Sequence, residues 1–180
     1  MALVVPLVWG LDAGHYSLAL GLALVAGFTD ALDGFLAKRF GWRTRLGSLL
    51  DPIADKLLLV GSFLGLWLVG MTPGWLFALI VGRDVVIVGG AVAYHNLVGP
   101  LQGEPTLLGK TTTVAQIALV LAALVHLALA PLPVSVLPAM RVLVAGLTVA
   151  SGIDYVVRWS LRARAQWRDR RGAGRSEGER

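Results

Sequence analysis

Four aspartates, the residues best suited to chemistry in this sequence, lie close together in its first third. They are Asp30, Asp33, Asp51 and Asp55. The first two are three positions apart and the last two are four positions apart, so on helices each pair shares one face. Ionised carboxylates that are grouped in a low-dielectric environment repel one another. Because the group contains no histidine or cysteine, it predicts a hard divalent cation, Mg²⁺ or Mn²⁺, bound as a pair of ions.

The connection between the two pairs is short and basic. It carries Lys38, Arg39, Arg43 and Arg45. It predicts an antiparallel helix hairpin, with Asp30 and Asp55 each about 12–13 Å from the bend at the usual helical rise. All four carboxylates would then meet, with basic side chains at the mouth to attract phosphates. Gly34 and Gly47 leave room for a ligand to approach the backbone.

Three of the aspartates also have a structural interpretation when each is taken alone. Asp51, followed by Pro52, is typical of a helix N-cap with proline at the first helical position. Asp33, followed by Gly34, is typical of a turn. Asp30 could pair with a basic side chain near the membrane interface. None of these interpretations explains why four acids lie at matched depths on two facing helices, and this favours the interpretation as a metal site.

The elements that must position these residues are apolar helices. The chain has 180 residues, of which 56% are hydrophobic and 15% are charged, against about 45–50% and about 25% in soluble domains. Five stretches reach the roughly 20 residues that a transmembrane helix needs: 16–36, 52–70, 74–94, 111–130 and 136–157. A sixth, 1–11, is about half that length. We therefore predict an all-α integral membrane protein, a six-transmembrane-helix bundle with a shortened first helix, which fits an incomplete or late-started reading frame.

Basic residues indicate the orientation of the bundle. They concentrate in the 38–47 connection and after residue 157, and they are missing from the connections at 11–15, 71–73 and 131–135. Because basic loops stay on the cytoplasmic side, the aspartates and both termini should face the cytoplasm. This distribution explains the net charge of +5 without a nucleic-acid partner. Residues 1–160 are predicted to form the membrane domain, and residues 161–180 a basic, disordered tail.

The aspartate segment resembles the signature of the CDP-alcohol phosphatidyltransferase family, D-x-x-D-G-x-x-A-R, eight residues, G-x-x-x-D-x-x-x-D. The signature is met, with every gap correct, at Asp30, Asp33, Gly34, Ala37, Gly47, Asp51 and Asp55. One position departs from it, because Lys38 stands where the family usually has Arg. Lysine keeps the charge but loses the bidentate fork, so phosphate binding there could rely on Arg39 instead.

The resemblance implies a reaction and roles for these residues. A CDP-linked lipid, usually CDP-diacylglycerol, meets an alcohol whose oxygen attacks the β-phosphorus, and CMP leaves. By carry-over, the metal ligands are Asp30, Asp33, Asp51 and Asp55, with Asp55 also the general base. The CDP site is lined by Asp30, Gly34, Lys38 and Gly47. The resemblance also implies a homodimer, and we expect it in a bacterial cell (inner) membrane.

The alcohol must be selected by other residues. Arg83 near the middle of the fourth span, together with Lys110 and Thr111 at the start of the fifth, suggests an acceptor that carries a phosphate, such as glycerol 3-phosphate. Resemblance to the phosphatidylglycerophosphate synthase branch agrees, through three lesser motifs. They are Arg83-Asp84, then Gly109-Lys110-Thr113-Gln116, and finally Ser151-Gly152-Tyr155.

Several alternatives stay open. Arg83 could form a structural ion pair with Asp84, Lys110 could be an interface anchor, and Arg141 is expected to extend to the interface. His126 is expected to be hydrogen-bonded within the bundle rather than to act as a ligand. Cardiolipin synthase, with phosphatidylglycerol as acceptor, is the nearest rival activity. A divalent-cation transporter and an inactive membrane scaffold are the rivals from other classes.

Overall fold

The structure is a computed structural model that describes the backbone of residues 3–40, 45–97 and 106–177. Side chains are described for 3–29, 55–92 and 106–161, and for Leu32, Leu36 and Arg39. Six α-helices account for the secondary structure of these ranges: α1 Val4–Asp12, α2 Tyr16–Phe40, α3 Arg45–Leu68, α4 Gly74–Leu97, α5 Leu107–Ala128 and α6 Val136–Glu177. The predicted all-helical class and the number of helices are therefore confirmed.

Three helices are long and apolar enough to cross a membrane within the described residues. They are Gly74–Val92 in α4, Leu107–Ala128 in α5 and Val136–Leu161 in α6, with Tyr16–Thr29 in α2 as a shorter apolar helix. The first helix has 9 residues, in agreement with the short stretch seen in the sequence. The protein is thus an integral membrane protein with a helical body.

The helix boundaries exclude two local interpretations of the aspartates. α2 continues through Phe40, so Asp33 and Gly34 lie inside a helix and not in a turn. α3 begins at Arg45, so Asp51 lies inside a helix and is not its N-cap. Both pairs of aspartates therefore occupy helical segments, as their spacing requires.

The last helix is longer than its apolar part. The α6 backbone continues as helix through Glu177, into the segment 161–180 for which we predicted disorder. The side chains of 162–180 lie outside the described residues. The division of the chain at residue 160 stays a prediction.

The short first helix packs against both α2 and α3. Its Leu7 and Leu11 are fully buried. Gly61 and Gly65 of α3 make this packing possible, because a Cβ at Gly61 would overlap Val4 and one at Gly65 would lie 2.6 Å from Leu11 Cδ1. Small residues four positions apart let membrane helices approach closely, where van der Waals contact holds them together.

Hydroxyl and amide side chains join α5 to α6. The Thr112 hydroxyl lies 2.7 Å from the Leu108 carbonyl oxygen of its own helix and 3.2 Å from the Leu147 carbonyl oxygen of α6. Gln116 Nε2 donates to Thr148 Oγ1 at 3.4 Å. Thr112, Gln116 and Thr148 are buried, so in an apolar bundle their polar groups are satisfied by partners within each helix and across the helix pair.

The end of the bundle away from the aspartates is held by two polar contacts. His126 Nδ1 accepts a hydrogen bond from the Leu132 backbone N–H at 2.8 Å, which confirms the expected structural role of this histidine. Arg141 Nη2 donates to the Met71 carbonyl oxygen at 2.5 Å. Arg141 therefore ties α6 to the turn after α3, a role that goes beyond the interfacial position we expected.

The contact between α4 and α6 depends on a missing side chain at Gly90. A Cβ at Gly90 would overlap the Trp159 ring, whereas one at Gly89 would meet nothing within 4 Å. Trp159 in turn packs edge-on against the Tyr155 ring, with 5.6 Å between the centroids. The indole thus lies in contact with both the Gly90 backbone and the Tyr155 ring.

We predict that Gly90→Ala lowers the melting temperature of the purified protein, because overpacking a tight contact destabilises by about 1–3 kcal/mol. Gly89→Ala is the matched control, since both substitutions bring the same gain in helix propensity. The measurement is thermal unfolding in detergent micelles. Equal melting temperatures for the two variants would show that α6 can shift without penalty.

Candidate active site

The residues of the predicted metal and CDP sites can be placed on the helices, although most of their side chains lie outside the described residues. Asp30, Asp33, Gly34 and Lys38 belong to the cytoplasm-proximal half of α2 in the predicted orientation, and Gly47 and Asp51 belong to α3. Asp55, on α3, is described and exposed. The meeting of the four carboxylates therefore stays a prediction.

A divalent metal fits this donor set by its chemistry. Two aspartates at i,i+3 on one helix and two at i,i+4 on another offer oxygen ligands alone, the type that Mg²⁺ and Mn²⁺ prefer. Among the described side chains, no group of three or more histidine, cysteine, aspartate or glutamate residues could hold a metal ion. Asp30, Asp33 and Asp51 do not belong to that set.

Lys56, the residue after Asp55, connects α3 to α4. Lys56 Nζ lies 2.5 Å from Asp84 Oδ1. Arg83 Nη1 donates to the same oxygen at 2.8 Å. The Arg83–Asp84 pair that the sequence left open is therefore present, and it includes a second cation contributed by α3.

Arg83 is buried where three helices meet. Only 9% of its side chain is exposed, its Nη2 donates to Ser151 Oγ at 2.6 Å, and its guanidinium carbon lies 5.7 Å from the centre of the Tyr155 ring. Arg83 Nε is buried and has no hydrogen-bond partner among the described residues. Because a guanidinium carries several N–H donors, this side chain keeps capacity for a further acceptor.

The start of α5 lies against the same guanidinium. A Cβ at Gly109 would lie 3.5 Å from Arg83 Nη2 and 3.5 Å from the Tyr155 ring, which is ordinary van der Waals distance, so this turn packs directly against both side chains. Thr106 caps the helix by accepting a hydrogen bond from the Gly109 N–H at 3.1 Å. The structure thus brings the first turn of α5, which includes the exposed Lys110, next to Arg83.

The other predicted substrate residues are only partly connected to this centre. Thr111 is exposed, and its hydroxyl donates to the Leu108 carbonyl at 3.0 Å. Arg39 is exposed next to the last residue of α2. Neither position identifies a ligand, so their roles stay predictions.

Three contacts of this centre were not predicted from the sequence. Lys56 was not singled out, although an isolated lysine directly after an aspartate, in an apolar run, was a sufficient signal. Ser151 and Tyr155 entered only as parts of a family motif. Their contact with Arg83 required the fold, because the residues are far apart in sequence.

Comparisons with known proteins agree with these observations. The family model described as CDP-alcohol phosphatidyltransferase matches residues 1–153. A probable phosphatidylglycerophosphate synthase of Mycobacterium tuberculosis is 34% identical over 81% of this chain and 69% of its own length. A CDP-diacylglycerol--glycerol-3-phosphate 3-phosphatidyltransferase of Bacillus subtilis is 33% identical over 69% of this chain and 67% of its own length.

Cardiolipin synthases are similar to a comparable degree. The probable cardiolipin synthase (CMP-forming) of Drosophila melanogaster is 36% identical over 58% of this chain, and the chain spans 38% of that protein. The family match excludes neither acceptor, but it favours an enzyme over a divalent-cation transporter. It also implies the use of a divalent metal, as the donor set suggested. The chain belongs to the CDP-alcohol phosphatidyltransferase family, as the spacing of its aspartates and glycines indicated.

Proposed function

We propose that this protein transfers a phosphatidyl group from CDP-diacylglycerol to glycerol 3-phosphate and releases CMP, in phospholipid biosynthesis. The observation that carries the proposal is the continuity of the polar centre. Asp55, the predicted base, is followed by Lys56, which binds Asp84 beside the buried Arg83. A base and a phosphate-binding cation are thus on directly connected helices, as a phosphorylated acceptor requires.

The proposed reaction assigns roles to Asp55 and to the residues of the nucleotide site. The Asp55 carboxylate accepts the proton of the attacking hydroxyl, which raises the nucleophilicity of its oxygen. That oxygen forms a bond to the β-phosphorus while the bond from this phosphorus to the CMP oxygen breaks. Lys38 and the backbone at Gly34 and Gly47 line the nucleotide site, with Arg39 at its mouth. The acyl chains stay in lipid, and CMP leaves toward the cytoplasm.

A pair of divalent ions, Mg²⁺ or Mn²⁺, completes the site. We assign their ligands as Asp30, Asp33, Asp51 and Asp55. When bound, such ions neutralise negative charge on a diphosphate and on its leaving group. Without them, four grouped carboxylates would repel both one another and the nucleotide.

The acceptor proposal is supported by the charge around Arg83. Arg83 keeps a buried Nε–H, and next to it lies the first turn of α5 with the exposed Lys110. Helix N-termini attract anions through their free N–H groups. We assign Thr111, the residue after Lys110, to the same acceptor site. A phosphate monoester carries about −1.5 to −2 charge at neutral pH, so it gains more here than a singly charged diester would.

A cardiolipin synthase, which would use phosphatidylglycerol, is the second candidate. It is supported by the similarity to the probable cardiolipin synthase of Drosophila melanogaster. Both acceptors offer a hydroxyl and a phosphate. They differ in the charge of that phosphate and in the acyl chains beside it.

The membrane arrangement is part of the proposal. The helices form a six-span bundle in a bacterial cell membrane, with the active site and both termini in the cytoplasm. Basic residues in the 38–47 connection and after 157 support this orientation. The protein is expected to act as a homodimer among membrane lipids.

The first test is a comparison of acceptors. Purified protein in micelles receives CDP-diacylglycerol, Mn²⁺ or Mg²⁺, and either glycerol 3-phosphate, phosphatidylglycerol, inositol phosphate or serine. We expect CMP release with glycerol 3-phosphate, its loss in EDTA, and its return when the metal is restored in excess. Faster release with phosphatidylglycerol would establish the cardiolipin synthase alternative, and release with none of these acceptors would leave an inactive scaffold.

Asp55→Asn should reduce CMP release by about 10²-fold or more, because general-base catalysis contributes about 10²–10⁴-fold. Turnover rates measured at saturating substrates and metal test this. Asp12→Asn, at the end of α1, is the control, since Asp12 is exposed and lies outside the motif. Wild-type turnover in Asp55→Asn would remove this aspartate from the catalytic mechanism.

Arg83→Ala should raise the KM of glycerol 3-phosphate by at least about tenfold, since a charge-assisted hydrogen bond contributes about 1.5–3 kcal/mol. The KM of CDP-diacylglycerol should stay within about twofold. Steady-state kinetics on folded, monodisperse protein provide both constants, and Arg83→Lys should recover part of the loss. If both constants stay at wild-type values, Arg83 is structural.

A further inference from the structure

We propose that Asp84 is a positioning residue that holds the acceptor-binding Arg83 in a fixed place relative to the helix that carries Asp55. The inference rests on the proposed function, which assigned Arg83 to the acceptor phosphate and Asp55 to the proton. No role in the reaction was given to Asp84 or Lys56 there. Their geometry supplies one.

A single oxygen of Asp84 binds two cations from different helices. Lys56 Nζ lies 2.5 Å from Asp84 Oδ1, and Arg83 Nη1 lies 2.8 Å from it. The Asp84 side chain is 14% exposed and Arg83 is 9% exposed, whereas Lys56 is 41% exposed. Asp84 and Arg83 therefore form the more buried pair, to which the lysine of α3 attaches from the more exposed side.

This arrangement fixes the direction of the Arg83 guanidinium. Asp84 occupies Nη1 and Ser151 occupies Nη2 at 2.6 Å, while Tyr155 covers the guanidinium at 5.7 Å. With both terminal nitrogens held, the buried Nε–H keeps one orientation. A preorganised donor binds an anion more tightly than one that must first be ordered.

The same carboxylate controls the local charge. Lys56, Asp84 and Arg83 together carry one net positive charge, enough to attract a phosphate. If the carboxylate were removed, the two cations that now share its oxygen would repel each other. The half-exposed Lys56 would then move to water, and α3 would lose its polar connection to α4.

Substitutions of Asp84 and Lys56 can separate the effect of charge from that of side-chain size. In Asp84→Asn the amide oxygen can still accept one hydrogen bond, but it no longer neutralises either cation. In Asp84→Glu the charge stays and the reach changes by one methylene. Lys56→Met keeps the apolar stem and removes only the charge, and because Lys56 is half exposed this variant should fold.

The test measures the KM of each substrate for Asp84→Asn, Asp84→Glu, Lys56→Met and the Lys56→Met/Asp84→Asn double variant. We expect Asp84→Asn to raise the KM of glycerol 3-phosphate about tenfold with the KM of CDP-diacylglycerol within about twofold, as for loss of one charge-assisted contact. Asp84→Glu should bring the KM of glycerol 3-phosphate most of the way back to the wild-type value. The double variant should raise this KM no more than Asp84→Asn alone does.

Asp154→Asn is the matched control. Asp154 binds Arg158 at 2.7 Å, but both residues belong to α6, so the substitution removes an ion pair that joins no two helices. It should leave both KM values unchanged. A purely structural role for Asp84 would lower the melting temperature of Asp84→Asn without changing either KM, and that result would overturn the inference.

The outcomes separate this inference from the proposed function. If the wild-type protein fails to use glycerol 3-phosphate, the proposed function fails, and melting temperatures of the same variants then test the Lys56–Asp84 connection. If the decreases in melting temperature of the two single variants add up in the double variant, the Lys56–Asp84 connection is refuted. If they do not add up, the connection is supported. If glycerol 3-phosphate is used and the KM effects multiply, the inference alone fails.

Discussion

The arrangement of the bundle depends on a buried guanidinium that must be neutralised. A charged arginine inside a membrane protein is stable only with partners, because an uncompensated ion in low dielectric is very unfavourable. Arg83 obtains them from its own neighbour Asp84 and from Ser151 and Tyr155 of α6. Meeting this requirement brings α4 and α6 together and places the start of α5 beside them. The candidate acceptor site is thus also a packing centre.

Close helix approach makes this compensation possible. Gly90 lets the Trp159 ring lie against α4, and the α5 backbone at Gly109 lies close to Arg83 and Tyr155. Hydroxyl groups then join helices where lipid offers no hydrogen bonds, as Thr112 does with the Leu147 carbonyl. Small and hydroxylated residues therefore add close approach and hydrogen bonds to the apolar contacts of fully buried side chains such as Leu7 and Leu11.

Much of the fold was predictable because membrane helices have a strong local signal. The runs 74–94 and 111–130 correspond to helices Gly74–Leu97 and Leu107–Ala128, since apolar length alone identifies such segments. Boundaries near charged residues were less accurate. Asp51-Pro52 was typical of a helix start, yet α3 begins at Arg45, because proline and aspartate are tolerated inside a helix when neighbouring elements satisfy the backbone.

The sequence by itself determined the family, the helical class and the identity of the acidic motif, because these depend on residue types at fixed spacing along one chain. It also indicated that Arg83 and Asp84 form a polar pair, since they are neighbours. Only the tertiary structure decided that Lys56 shares the Asp84 oxygen and that Ser151 holds the other end of Arg83. Such contacts join helices that are distant in sequence, and their distances follow from how side chains pack between helices rather than from any periodicity within one.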